Sequence, residues 1–138
     1  MTTPIIRRAT RDDIHTIVGF NQAMALETES ISLDASILLQ GVEAIFDTPK
    51  HGFYVVCEIN RSIKACLMIT YEWSDWRNGL FWWIQSVFVK KEYRQTGLYK
   101  LMYEFIKTLI DKDDQIVGLR LYVDDDNIKA QNVYSKLG

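Results

Sequence analysis

The chain has 138 residues, 48% hydrophobic and 25% charged, which suits one folded domain with its own core and excludes a disordered chain. Sixteen Lys plus Arg against eighteen Asp plus Glu leave a formal charge of -2, which argues against a general nucleic-acid surface and mildly favours cationic partners. No apolar run nears the roughly 20 residues that span a bilayer, and Met1-Thr2-Thr3-Pro4 lacks the regions of a signal peptide, so a cytoplasmic protein off the membrane is expected.

The first predicted element is a strand at Ile5-Ile6-Arg7-Arg8-Ala9. Thr10 with Asp13 three residues on matches a capping box, and Ile14, Ile17, Val18 and Met24 then recur at helical spacing. Asp34 opens a second helix with Ile37, Leu38, Val42, Ile45 and Phe46 on its expected apolar face, ended by Thr48-Pro49-Lys50-His51-Gly52. The β-rich runs Phe53 to Ile59 and Ile63 to Trp73 flank the turn Asn60-Arg61-Ser62 and predict a hairpin. Past Asp75-Trp76-Arg77-Asn78-Gly79, the segment Leu80 to Val89 is apolar enough for a central strand covered on both faces. A helical stripe of Leu101, Met102, Phe105, Ile106 and Leu109 follows, then a strand from Ile116 to Val123, a polar loop and cap at Asp124-Asp125-Asp126-Asn127, and a helix from Ile128 to Leu137. The order βααβββαβα, without repeats or linkers, predicts one α+β domain over residues 1–138.

Cys57 and Cys66 flank the hairpin turn and read as free, buried, small apolar residues rather than a disulfide. His15 and His51 stand apart from any Cys or acid at ligand spacing, so no metal is expected.

The strand ending Ile84-Gln85-Ser86-Val87-Phe88-Val89 runs into Arg94-Gln95-Thr96-Gly97-Leu98-Tyr99, a polar turn with one glycine at a helix start. Such a turn offers backbone N–H groups at the positive end of a helix, an arrangement that binds phosphate. The six residues resemble the Arg/Gln-x-x-Gly-x-Gly/Ala signature of the GNAT superfamily of N-acetyltransferases. Asn127-x-x-Ala130-x-x-x-Tyr134-x-x-x-Gly138 matches that family's second motif, at the expected separation. Tyr99 departs from the usual Gly or Ala, and its side chain is expected to point away from the turn.

The resemblance implies a mixed, mostly antiparallel sheet, splayed between two strands and flanked by helices on both faces. It implies acetyl-CoA as donor in the splay, with Val87, Phe88 and Val89 pairing with the pantetheine arm like a partner strand. Amides of Gln95, Thr96, Gly97, Leu98 and Tyr99 would cradle the pyrophosphate, with Arg94 beside it and Asn127 on the pantetheine. Tyr134 sits where many of these enzymes protonate the departing CoA sulfur. A backbone N–H near Val87 would meet the oxyanion. Around Trp82 to Tyr99 the chain resembles the polyamine-acetylating branch, which has a glutamate where Gln85 stands. Gln85 cannot take a proton, so Glu72, Asp75 or a water held by Gln85 and Ser86 are the expected bases.

Trp73, Trp76, Trp82 and Trp83, with Glu27, Glu29, Glu72 and Asp75, suggest an aromatic and acidic pocket for a small cationic amine; alternate tryptophans filling the core is the competing expectation. The expected function is therefore acetyl transfer to a small primary amine. A peptide or protein N-acetyltransferase and a non-catalytic acetyl-CoA-binding module are the alternatives. Family members usually continue past the motif glycine with further strands. The end at Gly138 is accordingly read as a truncation, or else as an open sheet edge that a homodimer covers.

Overall fold

A computed structural model gives the fold and describes residues 3–121. The expected last helix at 128–137, with Asn127 and Tyr134, lies outside the described residues. The elements are β1 (Ile5–Arg8), a 3-10 turn (Arg11–Asp13), α1 (Ile14–Glu29), α2 (Ala35–Asp47), a 3-10 turn (Pro49–His51), β2 (Gly52–Ile59), β3 (Ser62–Ser74), β4 (Gly79–Val89), a 3-10 turn (Lys91–Tyr93), α3 (Leu98–Asp111) and β5 (Ile116–Leu121). The strands form one sheet in the order β1-β2-β3-β4-β5, antiparallel up to β4 and parallel between β4 and β5. α3 supplies the crossover that a parallel pair requires. The mixed α+β architecture agrees with the sequence.

Local chemistry sets the helix starts. The Asp13 carboxylate accepts the Thr10 N–H at 2.8 Å, closing the predicted capping box, and Asp34 accepts the N–H groups of Ser36 and Ile37 at 2.9 and 3.0 Å. α2 differs from expectation at Ile37, which is 70% exposed, while Val42 is buried. At 100° per residue, five positions place Ile37 roughly 140° around the helix from Val42, off the packed stripe.

Strand alternation divides the core between the two faces of the sheet. On one face Val55, Leu67, Ile69, Trp82 and Ile84 pack with Leu98, Met102 and Ile106 of α3. On the other, Tyr54, Val56, Cys66 and Phe88 pack with Ile17 and Phe20 of α1 and Val42 of α2. Cys57 pairs with Ala65 and Cys66 with Val56 in the β2–β3 ladder, so the thiols belong to opposite faces; both are buried and free, as expected. Burial pushes the Cys57 thiol up to about 11 and that of Cys66 up to about 12.

Arg7 of β1 ties the opening turn to the sheet, donating to Asp13 at 2.8 Å and to Glu58 of β2 at 3.1 Å. Burial alone would raise the Asp13 pKa, but hydrogen bonds from Arg7 and the Thr10 amide outweigh it and hold the carboxyl below its usual 3.8. A depressed folded pKa contributes stability that is present above the unfolded value and lost as pH falls through the folded one. Acid titrations should show wild type losing stability increasingly below pH ~4, with Asp13→Asn flattening that limb. An unchanged slope would remove Asp13 from the acid sensitivity.

Candidate active site

β4 does not run evenly. Cys66 of β3 faces Phe88 while Met68 faces Gln85, so Ser86 and Val87 together oppose Leu67 in a β-bulge. Ser86 has φ 52°, the left-handed region that few side chains favour. Ile84 and Phe88 are four residues apart yet lie on opposite faces of the sheet, the direct result of the extra residue. The bulge leaves Ser86 and Val87 without a one-to-one partner in the β3–β4 register, within the strand that is expected to receive the thioester. β5 pairs with β4 from Leu80–Ile116 to Ile84–Leu121, so β4 continues through the bulge beyond the last described β5 residue.

The turn after β4 carries positive φ at Gln95 (63°) and Gly97 (91°). Gly97 is the N-cap of α3 and contributes no side-chain cap, so no side chain takes the helix's first N–H groups. A Cβ at Gly97 would meet nothing within 4 Å; the dihedral, not space, is what calls for glycine. Tyr99 is 9% exposed and packs in the core with its ring 6.4 Å from Tyr103, pointing inward as expected. Thr96 donates its hydroxyl to the Tyr93 carbonyl within the same turn.

Arg94, which the resemblance places beside the pyrophosphate, is tied into the fold at this turn. Its Nε donates to the Val89 carbonyl at 2.9 Å and its Nη2 reaches Glu27 of α1 at 2.7 Å. Opposite charges at the ends of β4 and α1 close on one another, so Glu27 joins the turn rather than the tryptophan cluster. Arg94 thereby holds the turn against both elements.

The sheet face that packs on α1 and α2 also carries a polar ladder. Gln85 donates its amide to the Thr70 hydroxyl, leaving its carbonyl oxygen as an acceptor. Next along the strands, Trp83 donates Nε1 to Glu72 at 2.7 Å, and Arg120 of β5 stands 3.7 Å from the same carboxylate. Glu72 and Gln85, both assigned chemistry from sequence, thus share one face. Trp82 departs from the expected acceptor pocket. It points to the α3 face, 6% exposed, with its ring 5.2 Å from Phe53 and 5.9 Å from Tyr71, because neighbouring residues in a strand alternate faces. Trp73 and Trp76 are exposed, and with Asp75 they line a cleft at the β3–β4 turn. Glu29, the last residue of α1, is exposed. The bulge, the Arg94–Glu27 pair and Arg120 were not found from sequence; Ser86 carries no glycine signal, and partners 67 positions apart leave no local pattern.

Among the described residues no group of three His, Cys, Asp or Glu could hold a metal ion, and no helix is long and apolar enough to cross a membrane.

A model of the acetyltransferase (GNAT) family matches residues 19–138. A protein of Clostridium difficile 630, described as a possible acetyltransferase, has 47% sequence identity and a TM-score of 0.90, covering 97% of this chain and 88% of its own. Aminoglycoside N-acetyltransferase AAC(6')-Iy in complex with CoA shares the fold at 13% identity and TM-score 0.82, over 100% of this chain and 88% of its own. A predicted acetyltransferase with acetyl-CoA from Clostridium acetobutylicum does so at 17% identity and TM-score 0.79, over 99% and 90%. A search of curated proteins gives no match. The family match spans the bulged strand, the open turn and the second motif together, and the chain belongs to the acetyltransferase (GNAT) family.

Proposed function

We propose that the chain transfers an acetyl group from acetyl-CoA to the primary amine of a small molecule by direct attack on the thioester. The observation that carries this reading is the bulge at Ser86 leading into the uncapped start of α3. The amides of Gln95 to Tyr99 hold the pyrophosphate, each contributing a modest ~0.3–1 kcal/mol through the helix end, so that several together fix the position. Val87, Phe88 and Val89 offer strand-like backbone partners to the pantetheine arm. The Val87 N–H, at the bulge, is the donor for the developing oxyanion, set in place before reaction.

On the acceptor side, Gln85 gives one amide N–H to Thr70, and its carbonyl oxygen orients the amine without taking its proton. Glu72, farther along the same face beside Trp83, takes that proton through a chain of waters, and Asn127 and Tyr134 act from the second motif. Glu72→Gln should lower kcat/KM severalfold; an unchanged kcat/KM would pass the role to Asp75 or to solvent.

The reading as a whole is tested by free-thiol release from acetyl-CoA across a panel of small amines and N-terminal peptides. Turnover of small amines is the expected result. Turnover of peptides alone would move the acceptor class, and acetyl-CoA binding without release with any amine would make the domain a binding module.

A further inference from the structure

We propose that the acceptor carries an anionic group, a carboxylate or a phosphate monoester, held by Arg77 and Arg120 at the far end of the sheet face that begins at Gln85. The inference deepens the small-amine reading above and rests on it.

Phe81, Trp83 and Gln85 alternate along β4 and share one face. The Phe81 ring, 8% exposed, lies over Gly118 of β5, where an added Cβ would sit 2.6 Å from the ring. Glycine there lets the ring lie against the strand backbone as a fixed shelf. Two guanidinium groups rest on it: the Arg120 carbon is 3.9 Å from the ring centroid and that of Arg77 is 5.3 Å away. Arg120 also approaches the Trp83 ring at 5.9 Å. Stacking uses the flat face of a guanidinium and leaves its N–H edge for a planar or tetrahedral oxyanion.

The cleft also holds two acids, Glu72 and Asp75, so the two arginines offer directed donors rather than net positive charge. Glu72 receives the Trp83 N–H at 2.7 Å and meets Arg120 only at 3.7 Å, leaving further donors of that guanidinium unspent. Arg77 makes no ion pair among the described residues. Both arginines line one cleft of about 320 Å³ with Asp75, Trp76 and Phe81. Glu72 and Asp75, which line the same cleft, are the acids that a cationic tail would find there, so a diamine is the competing ligand. A strand rise of ~3.3 Å per residue puts Trp83 about 7 Å and Phe81 about 13 Å from Gln85, and this sets the span between amine and anion.

The test compares ω-amino carboxylates, ω-aminoalkyl phosphates and α,ω-diamines of matched length, by acetyl-transfer kinetics and by calorimetric binding. At equal length, the better of the two anionic series should exceed the diamine in kcat/KM by about 10-fold, the effect of a charge-assisted contact, and which anion leads identifies the group. Arg77→Ala and Arg120→Gln, both at exposed positions, should bring that ratio to within about twofold, as loss of such a contact requires. A wild-type preference for diamines, or a ratio unmoved in both variants, overturns the proposal. If no amine is turned over, the transferase reading fails, and the calorimetric arm still decides: anion binding lost in the arginine variants upholds the subsite, and equal binding of anion and diamine sinks it.

Discussion

Tyr134→Phe should lower kcat by ~10²-fold or more while leaving acetyl-CoA affinity within about twofold, the pattern expected when a general acid is removed without a binding contact. The expectation rests on Asn127-x-x-Ala130-x-x-x-Tyr134-x-x-x-Gly138, which lies outside the described residues but inside the segment that the family model matches. A thiolate leaving a thioester needs a proton, and a phenol with a pKa near 10 can give one as the charge forms. Phenylalanine keeps the ring and its packing and removes only the O–H. If Tyr134 merely packs against neighbours such as Ala130 and Val133, kcat will not move, and measuring kcat and acetyl-CoA affinity on the same preparation distinguishes the two.

Gly97→Val should weaken acetyl-CoA binding by about 30-fold, or ~2 kcal/mol at 1.4 kcal/mol per tenfold, with little change in thermal midpoint. Gly97 holds φ 91° at the start of α3, a conformation that costs a residue with a Cβ about 1–2 kcal/mol, and more with branching. No neighbour stands within 4 Å to clash, so the turn relaxes and the cradle moves. Gly97→Asn, which visits the left-handed region more readily, should lose much less. Equal affinity in wild type and the valine variant would mean that the phosphates are held elsewhere.

Much of the fold could be read in the sequence because its signals are local. The Thr10–Asp13 box, the Asp34 cap and the α3 stripe each lie within a few turns of chain; the first two formed where expected, and the stripe did so apart from Leu101, which is exposed. Ile37 shows where periodicity alone misleads, since apolar residues in a first turn can fall outside the packed stripe. The open turn at Arg94 to Gly97 was legible from one glycine and a helix start. What joins it to the rest of the site was not. The Ser86 bulge depends on β3 pairing opposite it, the Arg94–Glu27 contact joins segments far apart in the chain, and the Arg120 stack over Phe81 exists only once β5 lies parallel to β4. Trp82 and Trp83 are neighbours in sequence with opposite fates, one in the core and one beside Glu72, and only the direction of the strand separates them.

The placement of Cys57 and Cys66 has a practical consequence for assaying this enzyme. They are the chain's two cysteines, at 0% and 1% exposure, with thiols pushed up to about 11 and about 12. Thiolate is the species that reacts with a disulfide dye, and neither side chain forms it readily or meets solvent while the protein is folded. Colour developing in a coupled reaction therefore comes from released coenzyme alone, without a protein blank that grows with enzyme concentration. A slow rise without acceptor or cofactor would instead report transient opening of the sheet, so one reagent reads turnover when the protein is intact and unfolding when it is not.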